Sequence, residues 1–209
     1  PGAGDVVVVD VGGATTDVHS VVEVDPEDAG LSRQVVATVP VSRTVEGDLG
    51  MRWSAVTTVS EGVAAGLLDE TLVEAAAVRE ADPSFLPDDD AGRADDQAIA
   101  AVAVAVALRR HAGRSQVVFG TDGRVVERSG KDLREVDLLV GSGGVLRHAG
   151  GAGTAGAAEV LLRHLATDAG WQLPEHPRTV VDRDYVLAPV GLLASRHPDA
   201  AYRLARSLA

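Results

Sequence analysis

Four consecutive valines, residues 6–9, run into Asp10 at the start of the chain. The run does not alternate between apolar and polar positions, so we predict a strand that is buried on both faces in the middle of a sheet. Gly12 and Gly13 follow and provide a turn. A second strand is predicted at residues 16–24, which makes the whole stretch a strand, a glycine turn and a strand.

The pattern downstream predicts one further strand and then helices and strands in alternation. A third strand at residues 34–41 should complete an antiparallel meander, and residues 43–53, which contain Gly47 and Gly50, should form no regular element. The remaining predicted elements are helices at 61–68, 69–81 and 97–110, a hairpin at 117–127, a strand at 135–140, a helix at 157–166, a strand at 185–188 and a helix at 190–208. Residues 83–96 are rich in Asp and predict a solvated loop.

This order of elements is typical of a single α/β domain. We predict a ribonuclease H-like lobe over residues 1–209, with a mixed sheet that contains an antiparallel meander, flanking helices and a helical insert at about residues 55–113. The helix at 97–110 is apolar almost all round, so it should be deeply buried. No internal repeat or long linker divides the chain.

The first glycine turn carries the residues best suited to binding chemistry. A carboxylate such as Asp10 at the end of a buried strand needs a cation, and hydrated Mg²⁺ is the usual one. Gly12 and Gly13 leave their backbone N–H groups open to an anion, and Thr15 and Thr16 add hydroxyl donors. The alternative is a tight hairpin in which Asp10 caps its own turn. No Gly-Lys-Ser/Thr sequence follows, so the turn is not a P-loop.

A second glycine-rich turn follows the strand predicted at 135–140. It contains Gly141, Ser142, Gly143 and Gly144, and such a turn lets the backbone approach a flat or anionic ligand closely. Residues 151–156 formally match the dinucleotide fingerprint G-x-G-x-x-G. Ten residues separate them from the preceding strand, however, and the fingerprint requires its glycines at the end of the strand. We therefore predict a loop there.

Other polar residues are weaker candidates. Glu46 and Asp48 are candidates either to face a ligand or, as we favour, to cap the next helix. His19 lies in a predicted strand and is expected to be structural. The six histidines show no i, i+4 pair of the kind found in helical zinc sites.

Composition and charge exclude several classes of protein. The chain has 209 residues, is 45% hydrophobic and carries a net charge of −12, which argues against nucleic acid or an anionic membrane as a partner. It contains no cysteine, so disulfides and thiolate metal sites are excluded. No segment approaches the roughly 18 apolar residues of a membrane helix, and no leader is visible. We expect a cytoplasmic protein, and the start on Pro1 suggests a domain of a longer chain.

The sequences of four segments resemble those of a known family. The sequence DVGGATTDVHS at 10–20 resembles the second phosphate motif of the actin, Hsp70 and sugar kinase ATPase superfamily. Together with RTVEGDLG at 43–50, VGSGG at 140–144 and DYVLAPVGLLAS at 184–195, it resembles the MutL (GlmL) proteins encoded with adenosylcobalamin-dependent glutamate mutase. Those proteins are unrelated to the mismatch repair protein of the same name. The acidic stretch near Asp90 and the loop at Gly151 do not match.

The resemblance implies an ATP-dependent reactivating chaperone for an adenosylcobalamin-dependent mutase, either glutamate mutase or a similar aminomutase. ATP and Mg²⁺ would be the cofactors. Asp10 would be the catalytic residue, holding Mg²⁺ through water and orienting the attacking water. The expected phosphate donors are Gly12, Gly13, Thr15 and Thr16, and the expected adenosine site is Gly141, Ser142, Gly143 and Gly144.

An actin-like ATPase needs two lobes, and each lobe provides one phosphate hairpin. This chain contains a single Asp-x-Gly hairpin, which resembles that of the second lobe. We therefore expect ATP hydrolysis in a full-length protein that includes the first lobe, and no activity from this lobe alone. Two alternatives stay open, namely a non-catalytic actin-like interaction module and a lobe of a small-molecule kinase. A kinase would need a substrate base and a substrate pocket, and the sequence gives no sign of either.

Overall fold

The computed structural model describes residues 4–23, 40–120, 123–150, 156–165 and 170–208. The strands in these residues are β1 (Val6–Val11), β2 (Thr16–Val21), β3 (Val41–Glu46), β4 (Arg114–Gly120), β5 (Gly123–Ser129), β6 (Leu138–Ser142) and β7 (Arg178–Val181). Five of them form one sheet in the order β3-β2-β1-β6-β7, and β4 and β5 form a separate hairpin.

The large sheet has the topology of a ribonuclease H-like lobe. Strands β1, β2 and β3 form an antiparallel meander, and β6 and β7 run parallel to β1. This arrangement confirms the predicted α/β class, the mixed sheet and the central position of β1. Burial along β1 alternates, however, because Val7 and Val9 are fully buried whereas Val6 and Val8 are only partly so. The prediction that β1 is buried on both faces was therefore wrong.

The described residues also form seven helices. They are α1 (Ala55–Ala64), α2 (Val73–Ala81), α3 (Asp90–His111), α4 (Gly144–Arg147), α5 (Ala157–Leu162), α6 (Leu187–Ala194) and α7 (Pro198–Ala205), with 3-10 turns at Glu70–Leu72 and Arg206–Leu208. Helix α3 is buried without interruption from Ile99 to Leu108, which confirms the predicted burial. Its small Ala and Val side chains let it lie close against β1 and β2. None of the helices seen in the described residues has the length and apolar character needed to cross a membrane.

Several boundaries in the first half differ from the predictions. Strand β3 includes Arg43–Glu46, where we predicted no regular element, while residues 34–39 of the predicted third strand lie outside the described part of the chain. Helix α1 begins at Ala55, earlier than predicted. Helix α3 begins at Asp90, inside the predicted acidic loop, because the Asp89 side chain accepts a hydrogen bond from the Gly92 N–H at 2.7 Å and caps the helix.

The second half shows similar shifts. Strand β6 starts later than predicted and extends through Gly141 to Ser142. The strand predicted at 185–188 was wrong, because the buried Asp182 accepts hydrogen bonds from two N–H groups at the start of α6 and thereby begins a helix there. The helix predicted at 190–208 is interrupted, and α7 starts at Pro198. The β4–β5 hairpin is confirmed, although its turn residues 121–122 and the glycine-rich residues 151–155 lie outside the described chain.

Candidate functional site

The two predicted binding turns lie at the same edge of the sheet. Strands β1 and β6 are parallel neighbours, and Asp10 is in register with Ser142. The backbone turns after Ser142 so closely to β1 that a Cβ on Gly143 would lie 2.2 Å from the Val11 carbonyl oxygen. The structure therefore brings the Asp10 hairpin and the glycine motif, residues 141–144, side by side.

The hairpin tip, residues 12–15, is a tight turn, and three of the phosphate donors predicted in and next to it are engaged inside the protein. The Gly12 N–H donates to the Thr15 carbonyl at 2.9 Å. Thr16 is fully buried, and its hydroxyl donates to the Leu49 carbonyl at 2.9 Å. The Thr15 hydroxyl is half-buried and donates to the Asp17 carboxylate at 3.3 Å. These contacts shape the tip.

The carbonyl groups of Gly12, Gly13 and Ala14 point into one neighbouring segment. This segment, residues 47–54, is called the brace below. The Gly12 carbonyl accepts from the Met51 N–H at 3.0 Å, and the Gly13 carbonyl accepts from two brace N–H groups, at 2.7 and 3.0 Å. The Ala14 carbonyl accepts from the Ser54 hydroxyl at 2.8 Å. The brace thus fixes the orientation of three successive peptide planes.

The N–H groups of the tip consequently point the other way. In a trans peptide the carbonyl of one residue and the N–H of the next are antiparallel, so the N–H groups of Gly13, Ala14 and Thr15 are directed away from the brace. Among the described residues, no hydrogen bond uses the N–H of Gly13 or Ala14. Successive outward N–H groups form an anion-binding concavity. Ala14 was not predicted from the sequence, because it would contribute a backbone N–H that the identity of its side chain does not reveal.

A pair of carboxylates lies next to the tip. Asp10 is paired in register with Asp17 on the adjacent strand, and like charges in that position repel. Arg43 neutralises Asp17 with hydrogen bonds of 2.6 and 2.9 Å. Asp10 is exposed, and within the described ranges no cation pairs with it. A cation bound at Asp10 would therefore relieve the remaining repulsion.

Glu46 and Asp48 bind a single arginine. Arg110, in the last turn of α3, lies 2.8 Å from the Glu46 carboxylate and 2.7 Å from that of Asp48, and it also contacts Glu61 at 2.8 Å. The hydrogen bond from Arg110 lowers the pKa of Asp48. Neither carboxylate caps α1, so the favoured capping role was wrong. Their arrangement ties β3 and the brace to the C-terminal end of α3.

A buried ion cluster, which was not predicted from the sequence, contacts the brace through Arg52. Asp96, assigned above to a solvated loop, is almost completely buried and accepts from Arg79 at 2.5 Å and from Arg52 at 3.0 Å. Arg79 also donates to the carbonyls of Ala75 and Gly92. Because the three charged residues are far apart in the chain, no spacing in the sequence indicates that they meet.

The glycine motif is more closed than the hairpin tip. A Cβ on Gly141 would lie 2.9 Å from the side chains of Leu146 and Leu161, and Ser142 is buried. Gly143 adopts a φ of 109° against β1. Gly144 is exposed, and a Cβ added there would meet nothing closer than the Tyr185 hydroxyl, at 4.0 Å. Close packing accounts for Gly141 and Gly143, and Gly144 is the accessible glycine.

Metal-binding side chains are sparse around the site. Over the part of the chain that the structure describes, no group of three His, Cys, Asp or Glu residues is arranged to hold a metal ion. His19 is exposed on β2 in register with Arg43. A cation at this edge would thus have Asp10 as its protein neighbour and would need further ligands from water or from a bound anion.

Comparison with known proteins identifies the family of the chain. A family model described as MutL protein matches residues 1–208. The chain is 37% identical over 215 aligned positions to a protein named Protein MutL from Clostridium tetanomorphum; the alignment covers 97% of this chain and 45% of the relative. The chain thus spans less than half the length of the curated relative it matches. With a family match over nearly all of its residues, the chain belongs to the MutL protein family.

Proposed function

We propose that this chain is the nucleotide-binding lobe of an ATP-dependent reactivating chaperone for an adenosylcobalamin-dependent mutase, such as glutamate mutase. The observation that carries the nucleotide-binding part is the hairpin tip. Three carbonyls are turned into the brace, so the N–H groups of the tip point outward, and in the same hairpin Asp10 has no cationic partner among the described residues. Family membership supports the chaperone part.

The residues present suit a Mg·ATP ligand. The N–H groups of Gly13, Ala14 and Thr15 would donate to phosphate oxygens, and Asp10 would hold Mg²⁺ through water. Mg²⁺ in such sites keeps several waters and takes only one or two carboxylates together with phosphate oxygens, so a single Asp is sufficient. Gly12 and Thr16 would act by shaping the tip, since their donors are engaged within the protein.

The glycine motif would form the adenosine side of the same site. Gly144 is exposed for direct contact, while Gly141, Ser142 and Gly143 would set the path of the backbone beneath it. In the register of β1 and β6 the motif lies next to Asp10, as a ligand that spans both turns requires.

Hydrolysis would depend mainly on positioning and on neutralising charge. Bound Mg²⁺ supplies neutralisation of the phosphate charge. The Asp10 carboxylate would accept a hydrogen bond from the attacking water and so orient it, and the outward amides would hold the phosphate oxygens. A first lobe in the full-length protein would provide the second phosphate hairpin, so this chain alone should bind nucleotide weakly and turn over negligibly. The greater length of the relative is in line with this.

The first test is Mg·ATP binding by isothermal calorimetry, on this chain and on the full-length protein. The test variant is Asp10→Asn, and the matched control is Asp88→Asn, the same change at an exposed carboxylate away from the hairpin. We expect the affinity of the full-length protein to fall at least ten-fold in Asp10→Asn and less than two-fold in Asp88→Asn. No binding by the full-length protein would refute the nucleotide site and leave an actin-like interaction module.

The chaperone part has a separate test. A mutase inactivated by turnover, with its damaged cofactor still bound, is mixed with the full-length protein, fresh adenosylcobalamin and Mg·ATP. We expect recovered mutase activity that requires ATP and that is absent with Asp10→Asn. ATP binding without any reactivation would refute this part alone, and a phosphorylated small-molecule product would indicate a kinase.

A further inference from the structure

Trp53 is the aromatic side chain that the structure places against the hairpin tip. Two atoms of its six-membered ring, Cζ3 and Cε3, lie 2.7 and 3.1 Å from the position that a Cβ on Gly13 would occupy. The ring therefore packs directly on the Gly13 backbone, and only a glycine leaves room for it. Trp53 is nevertheless 63% exposed.

The position of Trp53 is fixed by the brace. Its own N–H and that of Arg52 both donate to the Gly13 carbonyl, and the next residue, Ser54, donates to the Ala14 carbonyl. Arg52 is in turn held by the buried Asp96. A large aromatic ring is thus anchored on one side of the tip while most of its surface faces outward.

The indole suits the chemistry of the tip. Its ring edge is electropositive and its Nε1–H is a hydrogen-bond donor with no acceptor function. The ring packs on the backbone of Gly13, whose N–H, like that of Ala14, is a donor without a hydrogen-bond partner among the described residues. A phosphorylated ligand bound by those amides would cover part of the indole surface.

We propose that Trp53 is a ligand-contacting residue, whose indole closes one side of the phosphate site formed by the Gly13 and Ala14 amides. This inference rests on the proposed nucleotide-binding function. It adds a binding residue that the glycine and threonine pattern of the tip does not reveal.

The test uses the full-length protein labelled with 5-fluorotryptophan. The fluorine resonance of Trp53 is assigned by its loss in Trp53→Phe, and the protein is titrated with Mg·ATP. We expect the Trp53 resonance to shift and to saturate at the dissociation constant found by calorimetry. The resonance of Trp171, which stacks against Arg114 at 4.5 Å, serves as the internal control and should not move.

Affinity measurements complete the test. We expect the dissociation constant for Mg·ATP to rise at least ten-fold in Trp53→Ala and about three-fold in Trp53→Phe, which keeps a ring on Gly13 but lacks the N–H donor. Leu86→Ala, at another exposed apolar residue, should bind like the wild type. If Mg·ATP binds and depends on Asp10 while the Trp53 resonance and the Trp53→Ala affinity stay unchanged, this inference alone is overturned. If the wild type binds no nucleotide, the proposed function fails with it.

Discussion

The hairpin tip and the glycine motif are both glycine-rich turns at the ends of neighbouring strands, but they differ in burial and in the direction of their backbone N–H groups. In the glycine motif, Gly141 and Gly143 are required by packing, since a Cβ would collide with leucine side chains in one case and with the Val11 carbonyl in the other. In the tip, a Cβ on Gly13 would also collide, with the Trp53 ring at 2.7 Å, but the Gly13 N–H is turned away from the brace and makes no hydrogen bond among the described residues.

Glycine density alone therefore does not locate a binding surface. What separates the two turns is the direction of their peptide planes and the burial of their residues. The N–H groups of the tip point outward because the brace donates hydrogen bonds to the carbonyls of Gly12, Gly13 and Ala14. The glycine motif has only Gly144 exposed, next to an interior of fully buried leucines.

The glycine motif should be the less tolerant of substitution. Gly143→Ala would place a Cβ 2.2 Å from a backbone oxygen and would force a side chain into a φ of 109°. We expect a loss of about 4 kcal/mol or more in the free energy of unfolding, measured by urea titration. Gly144→Ala has open space and should change stability by less than about 0.5 kcal/mol. A Gly143→Ala protein as stable as the wild type would show that packing is not the reason for this glycine.

The brace should depend on the buried ion cluster. Asp96→Asn leaves Arg52 and Arg79 without their buried counter-charge, and we expect a loss of about 3 kcal/mol in the free energy of unfolding. The adjacent Asp95→Asn is the control and should stay within about 0.5 kcal/mol of the wild type. Hydrogen exchange should also show faster exchange at the tip in Asp96→Asn. Equal unfolding free energies for the two variants would contradict the supporting role.

The side of the sheet that carries the tip should be the more sensitive to acid. His111, in the last turn of α3, contacts the hydroxyls of Ser20 on β2 and Thr44 on β3 at 2.8 and 3.0 Å. Burial, with smaller contributions from the charges of Lys131 and His19, lowers the pKa of His111 to about 4. In the unfolded chain the pKa of His111 is about 6.5, so between pH 6.5 and pH 4 the unfolded chain binds a proton that the folded protein does not. The contribution of neutral His111 to the free energy of unfolding is therefore complete above pH 6.5 and is lost as the pH falls toward 4.

We therefore expect the free energy of unfolding to fall by roughly 1–2 kcal/mol between pH 7 and pH 5 because of His111. In His111→Asn the baseline is lower, but this part of the pH dependence should disappear. His164, whose pKa is also lowered by burial, remains in both proteins and cancels in the comparison. Identical pH slopes for the wild type and the variant would rule out His111 as the source.

The fold was predictable where short-range pattern decides structure. The strand, glycine turn and strand at the start, the meander and the buried apolar helix were all predicted and confirmed. Errors arose where a side-chain contact overrode the local pattern. Asp89 and Asp182 begin helices in segments that we had predicted as a loop and a strand, because their side chains capture free backbone N–H groups.

Part of the candidate site could likewise be predicted from the sequence, and part depends on tertiary contacts. Its residue types, Asp10, Gly12, Gly13 and the glycine motif, are visible in the sequence, as is the likeness to the MutL family, because these depend on identity and spacing. The sequence does not show which donors are open, where Trp53 lies, or that Asp10 has no cationic partner among the described residues. These features depend on contacts between residues 26 to 44 positions apart, such as Arg43 with Asp17 and Asp96 with Arg52. Hydrogen bonding and burial are properties of groups brought together by folding, and local spacing along the chain does not encode them.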